Sequence, residues 1–318
     1  MTEKQVALTA EELAAEADRQ LATRRPANLW RDTLTNVLRQ RSAQVGLVLI
    51  GLLVFAALFA DVIATHGITD VLIGEEPGVS ARQGPCIPLF GCDGPLHILG
   101  LDGNVRDTWS RLVHGSRISL QVGFVTVGLA IVVGTLIGAI AGYAGGLIDN
   151  ILMRVMDVFL AFPALVLAIA ILMVLGRGLY QAMAAIAIVS IPVYARVMRA
   201  SVLSIRERDF VTASRALGES SAGILLRRVL PNALTPLIVQ GSLGIATAVL
   251  EVAALSFIGL GADPTQPEWG NMIGLERNQV FTAPLLVFAP GIALSITVLG
   301  FNLLGDGLRD ALDPRLNR

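Results

Sequence analysis

Two cysteines, three histidines and one isolated acid are the residues whose types could do chemistry. Cys86 and Cys92 lie in PCIPLFGC, and His66, His97 and His114 fall in the same polar stretch. A cysteine pair at this spacing fits a metal or redox pair, two free thiols, or a disulfide closing a small Pro/Gly-rich loop. An oxidising compartment favours the disulfide. The histidines show no ligand spacing, so each is expected at the surface and no metal ligand set is assigned. Glu251, in IATAVLEVAALSF, is the conspicuous acid within an apolar run. Such an acid is a functional candidate by default, or it holds a neighbouring helix by hydrogen bonds.

Catalytic patterns do not occur. GxSxG, HExxH and CxxC are missing, and no carboxylate pair stands at a defensible spacing. A phosphate-binding P-loop needs a lysine after its glycines, and Lys4 is the only lysine in the chain. The expectation is a non-catalytic protein that holds no cofactor or metal of its own. Any energy source must then be an ion gradient or another polypeptide.

The elements that carry these residues are apolar. Of 318 residues, 54% are hydrophobic and 15% charged, with mean hydropathy +0.68; a soluble domain has about 25% charged residues. A net charge of -1 leaves no basic field for nucleic acid. Apolar runs of about 20 residues, the length that crosses a bilayer as helix, predict six spans: 43–64, 119–142, 155–175, 180–198, 234–258 and 285–304. Pro163 and Pro192 fall inside the third and fourth as tolerated kinks. The polar first 42 residues predict no cleavable signal peptide, so the first span stays as an anchor.

Lys and Arg set the expected orientation. Lys4, Arg19, Arg24, Arg25, Arg31, Arg39 and Arg41 precede the first span. Placing them in the cytoplasm puts Arg154, the seven arginines between positions 196 and 228, Arg309, Arg315 and Arg318 there too. Only Arg82, Arg106, Arg111, Arg117, Arg177 and Arg277 fall outside. Both termini are therefore expected to be cytoplasmic, and residues 65–117 form an extracytoplasmic loop.

One cytoplasmic stretch, DFVTASRALGESSAGILLRRVLPN at 209–232, reads as a fixed shape rather than a plain basic loop. Ser204 and Glu207 fit a capping box, the following residues to Leu217 form good helix, and Gly218 suits a left-handed C-cap. Ser220 or Ser221 caps a second short helix ending near Pro231. Thr212, Ala213, Ser214 and Ala216 are small, which lets another surface approach closely. Elsewhere, Gly134, Gly138, Gly142 and Gly146 recur every four residues, a tandem GxxxG for close helix packing. Arg154 and Asp157 are one turn apart and read as an interfacial pair. DPTQPEWGNM is expected to form an extracytoplasmic turn with a short helix.

The stretch at 209–232 resembles the signature loop of binding-protein-dependent ABC importer permeases: EAA, three residues, Gly, nine residues, Ile-x-Leu-Pro. Thr212, Ala213 and Ser214 stand at the EAA positions, Gly218 at the glycine, and Leu230 and Pro231 at the end. Thr replaces Glu, Ser replaces the second Ala, and Arg228 stands at the Ile position. HILGLDGNVRDTWSRLVHGSRISLQVG, GYAGGLIDNILMRVMDVFLAFP, LSFIGLGADPTQPEWGNMI and FNLLGDGLRDALDPRL are similar to the C-type permeases of the dipeptide/oligopeptide/nickel branch. Where that pattern often reads Gly-Arg-Asp, this chain has Val105, Arg106 and Asp107.

The resemblance implies an all-α, polytopic membrane protein with six transmembrane helices and the type I ABC importer permease fold. Its organisation would be a cytoplasmic tail with an amphipathic segment (1–42), an anchor (43–64), an extracytoplasmic loop (65–117), a five-helix core (118–305) and a tail (306–318). The coupling loop (199–232) lies in the core; Arg208, Asp209, Thr212, Ala213, Ser214, Arg215, Gly218, Leu230 and Pro231 would engage an ATPase. The partners implied are a B-type permease, two ATPase subunits holding ATP and Mg, and an extracytoplasmic binding protein, in a bacterial inner membrane. The cargo implied is a dipeptide or oligopeptide, with nickel chelates or other small solutes as the alternative. A secondary transporter is a further reading, but only Glu251 offers an ionisable group along a path and no inverted repeat is visible.

Overall fold

The computed structural model describes residues 37–38 and 40–312. The tail at 1–36 and the residues at 313–318 fall outside, and with them the amphipathic segment and the terminal arginines. Among the described residues the regular structure is helical, with isolated β-bridges only. Five helices are long and apolar enough to cross a membrane: α1 (Arg41–Leu58), α3 (Thr108–Ala144), α6 (Leu179–Arg206), α10 (Thr235–Phe257) and α12 (Pro284–Leu312). A short α2 (Ala60–Ile63) follows α1.

The third predicted span is not one helix. Gly146–Leu160 (α4) and Ala164–Leu175 (α5) are bent by 95° at the intervening break. Pro163 has φ −58 and ψ 130 and makes the break: it has no N–H to donate, and its ring disfavours helix at the residue before it. Pro192, by contrast, stays inside α6. The bent pair still carries the chain across. Gly134 of α3 packs on Tyr194 and Gly142 on Arg199 and Val202, so α3 and α6 run parallel. The chain must therefore travel from one end of the bundle to the other between them.

The α3–α6 contact is made by glycine. A Cβ on Gly134 would sit 2.7 Å from the Tyr194 Cβ, and one on Gly142 3.0 Å from the Arg199 carbonyl. Gly138 lies against the Ala195 backbone in the same row. Such proximity, where backbones touch, is the packing that small residues permit in lipid. Gly146 does not belong to this face. It lies past the helix end at φ +56 with nothing near it, because the Gly145–Gly146 turn starts α4.

Asp157 is also placed differently from expectation. It pairs with Arg196 at 2.6 Å rather than with Arg154, and Asp149 makes a two-point contact with Arg199 at 2.5 and 2.6 Å. Both pairs tie α4 to α6. The Ala43–Gly307 and Gly46–Leu304 contacts make α1 antiparallel to α12. One end of the bundle thus holds Arg41, Leu312 and the stretch between α6 and α10. The other holds residues 65–107 and α11 (Trp269–Glu276), which Glu268 caps through Gly270 N and Asn271 N at 2.9 and 2.7 Å.

Candidate functional site

The stretch between α6 and α10 is built upward from α7 (Asp209–Ala216). Its N-cap is Arg208, not Ser204: α6 continues through Arg206 because Val202 and Ile205 are buried in the core, and packing outweighs the local capping signal. Glu207 turns to Arg206 at 2.9 Å instead of reaching back to an amide. Asp209 lies in the first turn and Arg215 in the last, each complementing the helix dipole.

A Schellman motif ends α7. Glu219 N donates to the Ser214 carbonyl and Gly218 N to the Arg215 carbonyl, each at 3.1 Å, and Gly218 has φ +81. That conformation is nearly free for glycine and unfavourable for residues with a Cβ. Ser220 then caps α8 (Ser221–Ile224), its hydroxyl accepting from Gly223 N at 3.2 Å. The chain widens into a π-turn over Leu225–Val229 before α9 (Leu230–Ala233). Pro231 sits within this run, not at its end. Its missing N–H leaves the carbonyl four residues back without the usual donor, which accounts for the wide turn. Asn232 Nδ2 donates to the Arg228 carbonyl at 2.7 Å.

The element is fastened on one side and open on the other. Val211, Ile224, Val229 and Ala233 are fully buried in the core cluster. Burying a Val or Ile is worth roughly 1.5–3 kcal/mol, whereas an exposed pair such as Arg228–Glu219, at 3.2 Å, contributes about 0–1 kcal/mol. Apolar anchorage therefore fixes the shape. Phe210, Thr212, Ala213, Ala216 and Leu217 face outward, with Leu217 88% exposed. Arg208, Asp209 and Arg215 surround that face, Ser214 and Leu230 are half-buried, and Pro231 is exposed.

Other candidate residues lie elsewhere. Glu251 is on α10, sixteen residues beyond Thr235 and so roughly 24 Å along the helix. It is half-buried, within electrostatic range of Tyr194, and makes no side-chain hydrogen bond or ion pair among the described residues. At the opposite end of the bundle Cys86 and Cys92 form a disulfide with a Cα–Cα distance of 5.5 Å.

The histidines are not surface residues. His97 is 0% exposed, and its Nδ1 meets Asp107 Oδ1 at 3.0 Å. His66 is partly buried beside Thr65, and His114 contacts the Ser110 carbonyl at 2.9 Å. The entry to α3 draws them in. Asp107 caps that helix through Ser110 N at 2.8 Å, and fully buried Arg111 donates to the carbonyls of Ile68, Pro264, Thr265 and Gln266. Just before, Val105 has φ +58 in a turn closed by the Asp102 carboxylate on Asn104 N and Arg106 N. A left-handed position, which glycine would hold without strain, is thus occupied by a β-branched residue.

Comparison with known proteins is consistent with this architecture. The family model for binding-protein-dependent transport system inner membrane components matches residues 134–318. The N-terminal TM domain of oligopeptide transport permease C matches residues 28–84. A dipeptide transport system permease protein of Alkalihalophilus pseudofirmus is 42% identical, covering 90% of each chain. The di/tripeptide permease of Pseudomonas aeruginosa is 42% identical over 87% of this chain and 89% of its own. A glutathione transport system permease protein of Pectobacterium atrosepticum is 37% identical over 90% and 91%. Among solved structures, the inward-facing methionine ABC transporter MetNI superposes with TM-score 0.53 at 21% identity, over 64% of this chain and 97% of that one. The fold is therefore that of an ABC importer permease.

Proposed function

The chain belongs to the family of binding-protein-dependent transport system inner membrane components, and from that premise we propose that it is the C-type permease subunit of an ATP-driven importer of short peptides. The relatives named for dipeptides, di/tripeptides and glutathione favour peptides over nickel chelates. The observation that carries the mechanism is α7: a capped helix, open on its small-residue face and bolted to the core on the other.

In this reading a second, B-type permease completes the pathway and two ATPase subunits, holding ATP and Mg, supply the energy. An extracytoplasmic binding protein delivers the peptide. α7 seats in a cleft of one ATPase subunit. When ATP closes the ATPase pair, α7 moves as a rigid body, and α6 and α10 re-orient with it because Val211 and Val229 are packed in their common core. The end bearing α7 faces the cytoplasm of a bacterial inner membrane. The clustering there of Arg199, Arg206, Arg208, Arg215, Arg227, Arg228 and Arg309 supports that orientation. Exposed apolar residues on α1, α3, α4 and α5, among them Leu52, Leu136, Leu147 and Val174, suit lipid or the second permease.

Purification of the tagged chain from gently solubilised membranes tests the assembly. Co-isolation of a second permease and ATPase subunits is the expected result. Uptake of dipeptide by vesicles containing this chain alone would contradict it.

A further inference from the structure

We propose that His66, Glu76 and His97 form a binding site for a divalent first-row cation of the Zn2+ class at the end of the bundle opposite α7. The three residues offer one ligand atom each, and these atoms lie within 4.8 Å of one another. His66 Nε2 meets Glu76 Oε1 at 3.0 Å and His97 Nε2 meets Glu76 Oε2 at 3.0 Å. Two imidazoles thus converge on the two oxygens of a single carboxylate.

The outer partners prepare this arrangement for a metal. Asp107 Oδ1 lies 3.0 Å from His97 Nδ1. The other Asp107 oxygen accepts from Ser110 N at 2.8 Å, Ser110 Oγ at 2.7 Å and Thr65 Oγ1 at 3.2 Å. That carboxylate is held as an acceptor, so Nδ1 is the nitrogen that carries the imidazole proton. Nε2 faces the Glu76 carboxylate, and the contact is favourable when either a proton or a metal cation stands between the two. A carboxylate behind the ligating histidine is also the usual orienting partner of a metal-bound imidazole. His66 is oriented similarly, with Thr65 Oγ1 2.9 Å from its Nδ1.

Donor type and access narrow the ion. Two imidazoles and one carboxylate suit zinc and its neighbours, while magnesium and calcium prefer oxygen throughout. A tetrahedral shell with bonds of about 2.0–2.1 Å sets ligand atoms roughly 3.3 Å apart, so the cluster must close slightly. His66, less buried than His97, is the ring able to move. A cavity of about 420 Å³ lined by Asp61, Thr65, His66, Asp70 and His114 opens beside it and provides entry. A bound ion would join the end of α2, the loop carrying Glu76 and the turn that leads into α3. Three protein ligands leave the fourth position for water.

The test uses the full chain, purified through a histidine-free tag, stripped with EDTA and titrated with Zn2+ by equilibrium dialysis. One equivalent is expected to bind, and the melting temperature should rise with it. His66→Ala and Glu76→Gln should each weaken binding by at least about tenfold, while His114→Ala, which lines the same cavity but lies outside the cluster, should not. Melting curves of the variants in EDTA identify any loss of fold. No saturable Zn2+ binding overturns the site, as does parental affinity in both ligand variants. Loss of binding in His114→Ala with retention in the other two overturns it equally, in favour of the Asp61–His114 side of the cavity.

Discussion

Arg206, the last residue of α6, donates from Nη1 to the Gly142 carbonyl near the end of α3 at 2.7 Å. The contact satisfies an orphan carbonyl at a helix terminus with a cation. It also sits at the root of α7, so the parallel α3–α6 pair and the exposed helix share one fastening. Arg206→Ala should lower stability by about 1 kcal/mol, the net worth of a partly exposed charged hydrogen bond. More tellingly, amide exchange over residues 209–217 should speed up while exchange in α10 stays unchanged. Unchanged exchange across α7 would show that its anchorage lies entirely in Val211 and its apolar neighbours.

Val105 gives a second prediction. A left-handed β-branched residue costs of order 1–2 kcal/mol, yet its side chain is buried with Leu72 and Leu101. In Val105→Gly the relief of strain offsets the lost burial, and thermal stability should change by less than about 1 kcal/mol. The same deletion at helical φ, Val202→Gly, should cost at least about 3 kcal/mol. Equal losses at the two positions would contradict a strained turn at Val105.

Cys86 and Cys92 should resist thiol reagents in membranes prepared without reductant and react only after reduction. A loop this small adds roughly 2 kcal/mol to folding by chain entropy, so the reduced protein should melt lower but remain inserted. Ready labelling before reduction, or labelling from the cytoplasmic side alone, would contradict both the pairing and the proposed orientation.

Glu251 is half-buried on α10, and one substitution separates a place in the pathway from a role in assembly. Glu251→Gln should reduce peptide uptake while the assembled complex is recovered in full. Uptake that falls only in proportion to recovered complex would assign the residue to assembly instead.

Much of this architecture is legible in the sequence because about twenty apolar residues in succession have few fates other than a membrane helix. α1, α3, α6, α10 and α12 are read that way. The break at Pro163 is not, since Pro192 and Pro290 lie inside helices and residue type alone does not decide between a kink and a turn. The capping signal at Ser204 and Glu207 loses to the burial of Ile205, a tertiary effect. Gly218, by contrast, is legible because left-handed backbone at a helix end has a strong residue preference. The convergence of His66, Glu76 and His97 is invisible for a different reason. They stand ten and twenty-one residues apart in an irregular segment, where no period relates one side chain to another.

The account stands or falls on α7 as the element that couples this chain to ATP hydrolysis. The most direct measurement is binding-protein-stimulated ATP hydrolysis by the reconstituted importer carrying Ala213→Trp, with Gly218→Val as the companion variant. Ala213 lies on the exposed small-residue face, where an indole fills the space a cleft must occupy; valine at Gly218 must adopt φ near +81, which misdirects α8. Neither position lies within a membrane-spanning helix, so insertion and pairing with the second permease should persist. The account predicts that stimulation and peptide uptake are lost in both variants, through failure to retain or to couple the ATPase subunits. Assembly, stimulated hydrolysis and uptake at the parental rate in both would contradict it.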